Sequence, residues 1–229
     1  MVKIFSIEGN VGSGKSTLIR ELEKLDTPII FVLEPVDEWN NIKDQQGENI
    51  LTKFYRNQGK YAFSFQMMAY ISRLSKLKNV IAANQNATII TERSIFADKN
   101  VFAQMLYDDQ KIEEVNYIIY LKWFNEFIKE TRPNGFIYLE VPPKTCYNRV
   151  LKRNRCGETI SLGYLERCHK YHNNWLSKES NVLRIDGEED FENNKTSIHN
   201  LYNQIDAFTG SQPKIDPFTI HNWHSAHFC

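Results

Sequence analysis

The stretch Gly9-Asn10-Val11-Gly12-Ser13-Gly14-Lys15-Ser16 fits the phosphate-binding pattern GxxxxGK[ST], and it decides the fold. The apolar segment Val2–Glu8 before it is predicted to be a β-strand, and Ser16–Leu25 after it has helical spacing. Glycines let the backbone wrap closely around phosphate oxygens, because no Cβ atom stands in the way. Amides at the start of a helix point at the bound anion, and the helix dipole favours it. A strand, this loop and a helix in that order predict a nucleotide-binding P-loop.

The loop also predicts the phosphate donor and its metal ion. Lys15 is expected to reach the β- and γ-phosphates of ATP as a mobile point charge, and the Ser16 hydroxyl to bind Mg²⁺. The residues predicted to bind ATP here are Gly9, Asn10, Val11, Gly12, Ser13, Gly14, Lys15, Ser16 and Thr17. GTPases, motor ATPases and small-molecule kinases all use such a loop. The sequence has no NKxD guanine motif, and 229 residues leave no room for a motor or helicase core. These facts favour a small-molecule kinase.

Five short apolar runs alternate with segments of helical spacing. The predicted strands are Val2–Glu8, Ile29–Leu33, Thr88–Thr91, Phe136–Leu139 and Val182–Ile185. The predicted helices are Ser16–Leu25, Lys60–Asn84, Asn100–Leu106, Glu113–Thr131, Thr145–Arg153 and Leu162–Ser177. This alternation predicts an α/β fold in which helices flank a five-stranded parallel sheet, the P-loop kinase fold. We expect one domain over residues 1–229, with a surface loop at 187–196 and an irregular tail from about Thr209 to Cys229.

Composition narrows the partners and the compartment. The chain has 28 basic and 28 acidic residues and a formal net charge of zero, which argues against a polynucleotide partner. Four cysteines without a CxxC pair predict a reducing compartment. The N-terminus lacks signal-peptide features, and no apolar run approaches the length of a membrane span. We therefore expect a cytoplasmic protein that does not enter a membrane.

Carboxylates follow the second and third predicted strands, at the sheet edge where such folds bind ligands. Glu34 ends the second strand, and its carboxylate can accept the proton of an attacking hydroxyl. Trp39 follows and is suited to wall an aromatic pocket. Glu92 and Arg93 end the third strand, where an acid can help to hold Mg²⁺ and an arginine can neutralise the transferred group. For each of these residues, a surface ion pair or a place in the core is the alternative interpretation.

A basic cluster follows the fourth strand. Arg149 and Arg153 are four residues apart, so they share one helix face, and Arg155 follows. Such a cluster predicts an arginine-rich lid, at about 149–161, that clamps the ATP phosphates as it closes. A solvated basic face is the alternative.

Taken together, the motifs resemble those of the deoxynucleoside kinase family, from the P-loop to about Trp175. The motifs that carry the resemblance are IEGNVGSGKST (Ile7–Thr17), LEPVDEW (Leu33–Trp39), YAFSFQ (Tyr61–Gln66), ERSIFADKNVF (Glu92–Phe102), the lid stretch Arg149–Glu158 and YLERCHKYHNNWL (Tyr164–Leu176). Each is moderately specific, whereas their order and spacing together are very specific. The resemblance implies an ATP- and Mg²⁺-dependent enzyme that phosphorylates deoxynucleosides for nucleotide salvage.

The resemblance also implies roles for individual residues. Glu34 lies where the family keeps the general base for the 5′-hydroxyl, Arg93 where an arginine contacts the reacting 5′ end, and Glu92 where it helps to position Mg²⁺. Tyr55 and Glu158 match residues that bind the sugar 3′-hydroxyl. The residues that match the base site are Gln66 at the base edge, Trp39 and Phe102 as aromatic walls, and Phe54 and Phe63 as further lining.

Arg73 and Asp98 match an ion pair that, in this family, accompanies deoxycytidine and purine deoxynucleosides rather than thymidine. The resemblance thus implies dC, dA or dG over dT, with an ordinary helix-surface ion pair as the alternative. Family members often form dimers through helices, so we expect a homodimer built on Lys60–Asn84 and Glu113–Thr131. Two positions depart from the family: Asn100 replaces a common aromatic residue, and the lid is one residue shorter before Glu158.

Two other functions compete with this prediction. A deoxynucleoside monophosphate kinase, such as a thymidylate kinase, shares the P-loop and the lid. It must bind an acceptor phosphate, however, which the carboxylate of Glu34 would repel. A nucleotide-binding regulatory protein would not need Glu34, Gln66 and aromatic walls together.

Overall fold

The computed structural model describes residues 1–155, 157–189, 191 and 194–210. The strands are β1 (Lys3–Glu8), β2 (Ile29–Val32), β3 (Thr88–Glu92), β4 (Gly135–Glu140) and β5 (Val182–Asp186). They form one sheet in the order β2-β3-β1-β4-β5, and every neighbouring pair is parallel. The predicted five-stranded parallel sheet is confirmed.

Helices cover both faces of this sheet. They are α1 (Lys15–Glu23), α2 (Val36–Asn41), α3 (Ile50–Arg56), α4 (Gln58–Ala83), α5 (Ile95–Ala97), a π-helical segment (Asp98–Ala103), α6 (Gln104–Asp108), α7 (Glu114–Thr131), α8 (Pro143–Arg153), α9 (Leu162–Leu176) and α10 (Lys195–Thr209). Among the described residues, no helix is both long enough and apolar enough to cross a bilayer.

The core has a layer on each side of the sheet, because successive strand residues point to opposite faces. Along β4, Phe136 and Tyr138 join the cluster beneath α4, α7 and α9. Ile137 and Leu139 join the opposite cluster with residues of α1 and α10. Burial on both faces explains why the strands are near-continuous apolar runs.

The sheet order places the P-loop at a switch point. From β1 the chain runs to β2 and β3 on one side of β1, then crosses to β4 and β5 on the other side. In open parallel sheets, ligands bind in the crevice at the carboxyl ends of the strands where the direction of winding reverses. The register pairs Ile7 of β1 with Glu92 of β3, so the ends of these two strands lie side by side.

Four helices were not predicted, and two predicted segments need correction. Helices α2, α3, α5 and α10 form where the sequence shows short or polar-rich segments. The predicted surface loop at 187–196 was wrong at its end, because the Asn194 side chain caps α10, which begins at Lys195. The predicted start of the irregular tail also needs correction, because Thr209 is buried and is the last residue of α10. The rest of the predicted tail, residues 211–229, lies outside the described residues.

Candidate active site

A cavity of about 710 Å³ opens where β1, β2 and β3 end. Every residue predicted for the site lines it, except Gly9, Asn10 and Phe63. The predicted residues that line it are Val11, Gly12, Ser13, Gly14, Lys15, Ser16, Thr17, Glu34, Trp39, Phe54, Tyr55, Gln66, Arg73, Glu92, Arg93, Asp98, Phe102, Arg149, Arg153, Arg155 and Glu158. Residues far apart in the sequence are therefore brought to one site.

The P-loop can follow its path only with glycine at two positions. A Cβ atom on Gly9 would lie 2.6 Å from the carbonyl oxygen of Leu139, and one on Gly12 would lie 2.6 Å from that of Cys146. Gly14 adopts a left-handed conformation with φ of 99° directly before α1. The loop is thus packed against β4 and α8, with its backbone free to approach an anion.

Lys15 lies folded into the loop. Its side chain is buried, and Nζ donates a hydrogen bond to the Asn10 carbonyl oxygen at 2.8 Å. Burial and the neighbouring charge of Arg93 lower the pKa of Lys15 to about 8, against the opposing effects of Glu92 and Glu34. Asn10 itself turns away from the cavity, and its Nδ2 donates to the Leu165 carbonyl oxygen of α9 at 2.8 Å. Its side chain therefore anchors the loop and does not line the cavity.

The two residues predicted to hold a metal ion are in contact. The Ser16 hydroxyl donates to Oε1 of Glu92 at 2.6 Å, and the Glu34 amide donates to Oε2 at 3.3 Å. A hydroxyl and a carboxylate are hard oxygen ligands, which suit Mg²⁺ when substrate phosphates supply the remaining ligands. This donor set fits the predicted ion.

Glu34 is surrounded by cations. Its Oε1 accepts a hydrogen bond from Nη2 of Arg73 and lies 3.4 Å from Nε of Arg93. Burial alone would raise the pKa of Glu34, but Arg73, Arg93 and Lys15 together lower it to about 2. The carboxylate is therefore ionised at neutral pH. The predicted Arg73–Asp98 pair is also present, since Nη1 of Arg73 donates to Asp98.

Arg93 occupies an unusual backbone conformation, with φ of 60°. Non-glycine residues rarely adopt the left-handed region, and such strain often accompanies functional sites. The conformation directs the guanidinium back over the P-loop, where Nη1 donates to the Gly9 carbonyl oxygen at 2.8 Å. The same guanidinium lies 4.8 Å from the centre of the Phe102 ring. Arg93 thus links the phosphate loop to the aromatic part of the cavity.

The aromatic part of the cavity is built by α2, α3 and α4. The rings of Phe54 and Phe65 are stacked with centroids 4.5 Å apart, and Trp39 meets Phe65 edge-on at 5.7 Å. The Trp39 indole donates to Ser72 Oγ at 2.8 Å, which fixes its orientation. These flat apolar walls suit a planar base, which can stack on an aromatic face.

Gln66 lies in this part of the cavity with only 2% of its surface exposed. Its amide oxygen is buried and has no hydrogen-bond partner among the described residues. An unpartnered buried acceptor is costly, so an arrangement of this kind indicates a ligand donor at that point. An amide donates and accepts side by side, which suits the edge of a nucleobase.

Phe63 is not brought to the cavity. It lies partly buried against the large core cluster instead. Phe65, which the motif also contains, lines the cavity in its place, four residues before the cavity-lining Ala69 on the same helix. Asn100 is not among the residues that line the cavity.

Tyr55 and Glu158, the pair predicted for the 3′-hydroxyl, both line the cavity. Burial and the nearby charge of Glu158 raise the pKa of Tyr55. The Glu158 side chain is only 3% exposed, and its Oε2 lies 2.6 Å from Nη2 of Arg153. Glu158 is therefore held at the cavity.

The basic cluster is tied to the phosphate loop. Nη1 of Arg149 donates to the carbonyl oxygens of Ser13 at 2.9 Å and of Gly187 at 3.0 Å. Arg155 lines the cavity beyond Arg153. The three arginines thus all line the cavity, and Arg149 contacts the P-loop.

Sequence reasoning missed several lining residues. They are Arg20, Val36, Leu51, Ala69, Lys152, Tyr164, Gly187, Glu188, Glu189 and Phe191. Residues 187–189 and 191 follow β5, and they reach the cavity through the arrangement of the sheet, in which β5 pairs with β4. No local sequence pattern indicates that approach.

Comparisons with known proteins agree with this geometry. The family model described as deoxynucleoside kinase matches residues 5–209. A mitochondrial deoxyguanosine kinase of Xenopus laevis is 32% identical over 90% of this chain and 89% of its own length. A probable deoxycytidine kinase of fowlpox virus (strain NVSL) is 37% identical over 89% of this chain and 88% of its own. Human deoxycytidine kinase is 31% identical over 86% of this chain and 88% of its own.

The chain belongs to the deoxynucleoside kinase family. It is an enzyme, a kinase that transfers a phosphoryl group from a nucleotide donor to a deoxynucleoside. The family predicted from the motifs is confirmed.

Proposed function

We propose that this enzyme transfers the γ-phosphate of ATP to the 5′-hydroxyl of dC, dA or dG, in preference to dT, and so makes a nucleoside monophosphate for nucleotide salvage. The observation that carries the proposal is the ionised Glu34, in contact with Arg73 and Arg93 between the phosphate loop and the aromatic pocket. A carboxylate at this junction is suited to a hydroxyl acceptor and unsuited to an acceptor phosphate, which it would repel.

In this mechanism Glu34 is the general base. The 5′-oxygen attacks the γ-phosphorus, its proton passes to the Glu34 carboxylate, and the bond to the β–γ bridging oxygen breaks to release ADP. A free carboxylate with a pKa of about 2 is a weak base. Arg73 and Arg93 lower that pKa. As negative charge develops on the transferred group, the Arg93 guanidinium would interact with that group, and its interaction with the Glu34 carboxylate would weaken. Glu34 would then become a stronger base at the moment of transfer.

ATP and Mg²⁺ are assigned to the P-loop end of the cavity. The glycine cradle and Lys15 would hold the phosphates, and Arg149, Arg153 and Arg155 would clamp them from the lid at about 149–161. Ser16 and Glu92 would hold Mg²⁺, which neutralises charge on the phosphate oxygens when bound. Closure of the lid would exclude water, the competing acceptor.

The deoxynucleoside is assigned to the aromatic end. Trp39, Phe54, Phe65 and Phe102 would enclose the base. The amide of Gln66, whose oxygen has no partner among the described residues, would pair with the edge of the base. Tyr55 and Glu158 would bind the sugar 3′-hydroxyl.

The preference for dC, dA or dG rests on the Arg73–Asp98 pair, both members of which line the cavity. Asp98 is 1% exposed, and its Oδ2 and the Nε of Arg73 have no hydrogen-bond partner among the described residues, so the pair offers a buried acceptor and a buried donor to the edge of a base. Two relatives are named for deoxycytidine and one for deoxyguanosine, which accords with this preference.

The test is a coupled assay of ADP release with Mg·ATP and dC, dA, dG, dT or dTMP, followed by identification of the phosphorylated product. We expect turnover with one or more of dC, dA and dG, the lowest kcat/KM among the nucleosides for dT, and none with dTMP. Turnover with dTMP alone would move the protein to the monophosphate kinases. Equal kcat/KM for all four nucleosides would contradict the role of the Arg73–Asp98 pair.

We further propose that the chain is one kinase domain and acts as a homodimer through α4 and α7. Large apolar side chains are exposed along these helices: Ile71 at 52%, Val115 at 59%, Ile118 at 49%, Ile119 at 40% and Trp123 at 49%. Light scattering should give twice the 26.9 kDa of one chain. Trp123→Glu should lower that mass, whereas Leu151→Glu, at an exposed apolar site on α8, should not. A wild-type mass near that of one chain would count against the dimer.

A cytoplasmic location is also a proposal. Cys146 and Cys168 are free and buried, as expected in a reducing compartment, but one relative is named as mitochondrial. Imaging of the full chain with a fluorescent tag at its C-terminus would distinguish the two compartments.

A further inference from the structure

The carboxylate of Glu8 lies directly before the P-loop, and the mechanism above makes no use of it. It is the last residue of β1 and is fully buried. Glu8 does not line the cavity, so it contacts no substrate. A buried carboxylate is costly unless it is hydrogen-bonded, so its partners indicate its role.

Glu8 holds the residue that follows Arg93. Its Oε1 accepts hydrogen bonds from the Ser94 amide at 2.9 Å and from the Ser94 hydroxyl at 2.6 Å. The Ser6 hydroxyl donates to the same oxygen at 2.9 Å. Ser94 lies at the N-terminus of α5, and its hydroxyl does not cap that helix because it is committed to Glu8.

These bonds lie where the ladder between β1 and β3 ends. The Arg93 amide donates to the Ile7 carbonyl oxygen at 3.0 Å, and Arg93 then turns the chain in its left-handed conformation. After this turn, the Ser94 amide donates its hydrogen bond to the Glu8 side chain and not to a carbonyl oxygen of the neighbouring strand. Glu8 thus satisfies the amide that a strained turn would otherwise leave buried without a partner.

The two strand ends hold each other. The Glu8 side chain binds the residue after Arg93, and the Arg93 side chain donates to Gly9, the residue after Glu8. This reciprocal pair of contacts sets the direction in which the Arg93 guanidinium leaves the turn. It brings Nε of Arg93 to 3.4 Å from Glu34.

We propose that Glu8 is a positioning residue for phosphoryl transfer: by holding Ser94 it keeps Arg93 aimed at Glu34 and at the reacting 5′ end. This inference rests on the proposed function, because that function supplies the role of Arg93. It predicts a particular kinetic effect. Misaimed catalytic groups lower kcat, whereas binding of the base and sugar at the far end of the cavity remains.

The test compares variants of the full chain by kcat, KM for the preferred deoxynucleoside and melting temperature. Glu8→Ala should lower kcat by about tenfold or more and change KM by less than about threefold. Glu8→Gln should recover most of kcat, because its amide oxygen can accept both bonds from Ser94. Ser6→Ala, which loses a bond to the same oxygen without touching the turn, should keep wild-type kcat.

A purely structural role for Glu8 would give a different pattern. Glu8→Ala would then melt at a lower temperature while kcat per folded molecule stayed within about twofold of wild type, which would overturn the proposal. If Glu8→Ala does not fold, Ser94→Ala can be used in its place, because it removes the hydrogen bond from the Ser94 hydroxyl to Glu8. Its kcat should fall at unchanged KM, and an unchanged kcat would overturn the proposal.

A crystal structure of Glu8→Ala, or of Ser94→Ala, separates this inference from the proposed function. The proposal expects Arg93 to leave its left-handed conformation or to lose its bond to Gly9. An unchanged Arg93 would overturn it, even in a protein that phosphorylates no deoxynucleoside. Absence of turnover by the wild-type enzyme would instead contradict the proposed function alone.

Discussion

Nε of Arg93 lies 3.4 Å from Oε1 of Glu34, and this contact joins the end of β3 to the end of β2. Arg73 reaches the same carboxylate oxygen from α4. Three elements therefore meet at one carboxylate, beside the glycine loop that follows β1. The charge of Glu34 depends on this arrangement, and so does its chemistry.

The first prediction concerns the acid side of the pH profile. Glu34 has a pKa of about 2 in the folded protein, below its ordinary value of 4.5, so protonation should not limit wild-type kcat/KM for the nucleoside above about pH 4. Arg73→Gln removes the strongest of the cations that lower this pKa, and burial then raises it. The variant should show an acid limb at a clearly higher pH, measured at saturating Mg·ATP.

Arg56→Gln is the matched control, since Arg56 pairs with Glu48 outside the cavity. Its profile should match that of the wild type. The same pKa shift also gives a stability effect. Because the folded pKa is lowered, Glu34 stabilises the fold above its unfolded pKa, and this stabilisation is lost as pH falls from about 4.5 towards 2. Identical acid limbs in wild type and Arg73→Gln would contradict the assignment.

The second prediction concerns the alkaline side. The pKa of Lys15 is lowered from its ordinary 10.5 to about 8, so the ammonium loses its proton as pH rises through 8. The kcat/KM for ATP, which reports the free enzyme, should therefore fall above about pH 8. Lys15→Arg keeps its charge, so its remaining activity should lack this limb. Lys24→Arg, on the exposed end of α1, should retain it, and a wild-type profile that is flat to pH 10 would refute the prediction.

The third prediction concerns Gln66. Gln66→Leu removes an amide whose oxygen is unpartnered in the cavity, so the melting temperature without nucleoside should not fall. The kcat/KM for the nucleoside should fall by roughly 10- to 100-fold, since a buried hydrogen bond to the base is lost. Kinetics and thermal melts together measure both effects.

Gln104→Leu should give the opposite pattern. Gln104 lies outside the cavity, and its amide is already bonded to Asp108 and to Tyr117. Its replacement should lower the melting temperature and leave KM for the nucleoside unchanged. A Gln66→Leu variant with normal kcat/KM would show that Gln66 does not contact the base.

Much of this site could be predicted from sequence because its parts follow strands. The P-loop, Glu34, Glu92 and Arg93 each lie where an apolar run ends, and a parallel sheet brings such ends to one edge. The resemblance to the family supplied Gln66, Arg73 and Asp98, which lie on helices and have no such local signal.

The rest depends on packing that a local pattern does not contain. Arg73 reaches Glu34 only because α4 lies beside the end of β2, where Lys76 of the same helix donates to the Leu33 carbonyl oxygen. Phe65 and Phe63 are two positions apart in one aromatic-rich helix, and the helix rotation alone decides which one lines the cavity. Glu8 looks like an ordinary strand end in the sequence, and its bond to Ser94 follows from the register of β1 and β3.

The role of Glu34 as general base is tested most directly by Glu34→Gln. The variant is assayed for ADP release and monophosphate formation with the deoxynucleoside that the wild type prefers. Gln keeps the shape of the side chain but cannot accept the proton, so kcat should fall by about 10²-fold or more. Glu140→Gln changes a carboxylate at the end of β4 that pairs with Arg184 outside the cavity, and it should behave as wild type. If Glu34→Gln forms monophosphate at a rate close to that of wild type, Glu34 is not the general base, and the proposed mechanism is wrong.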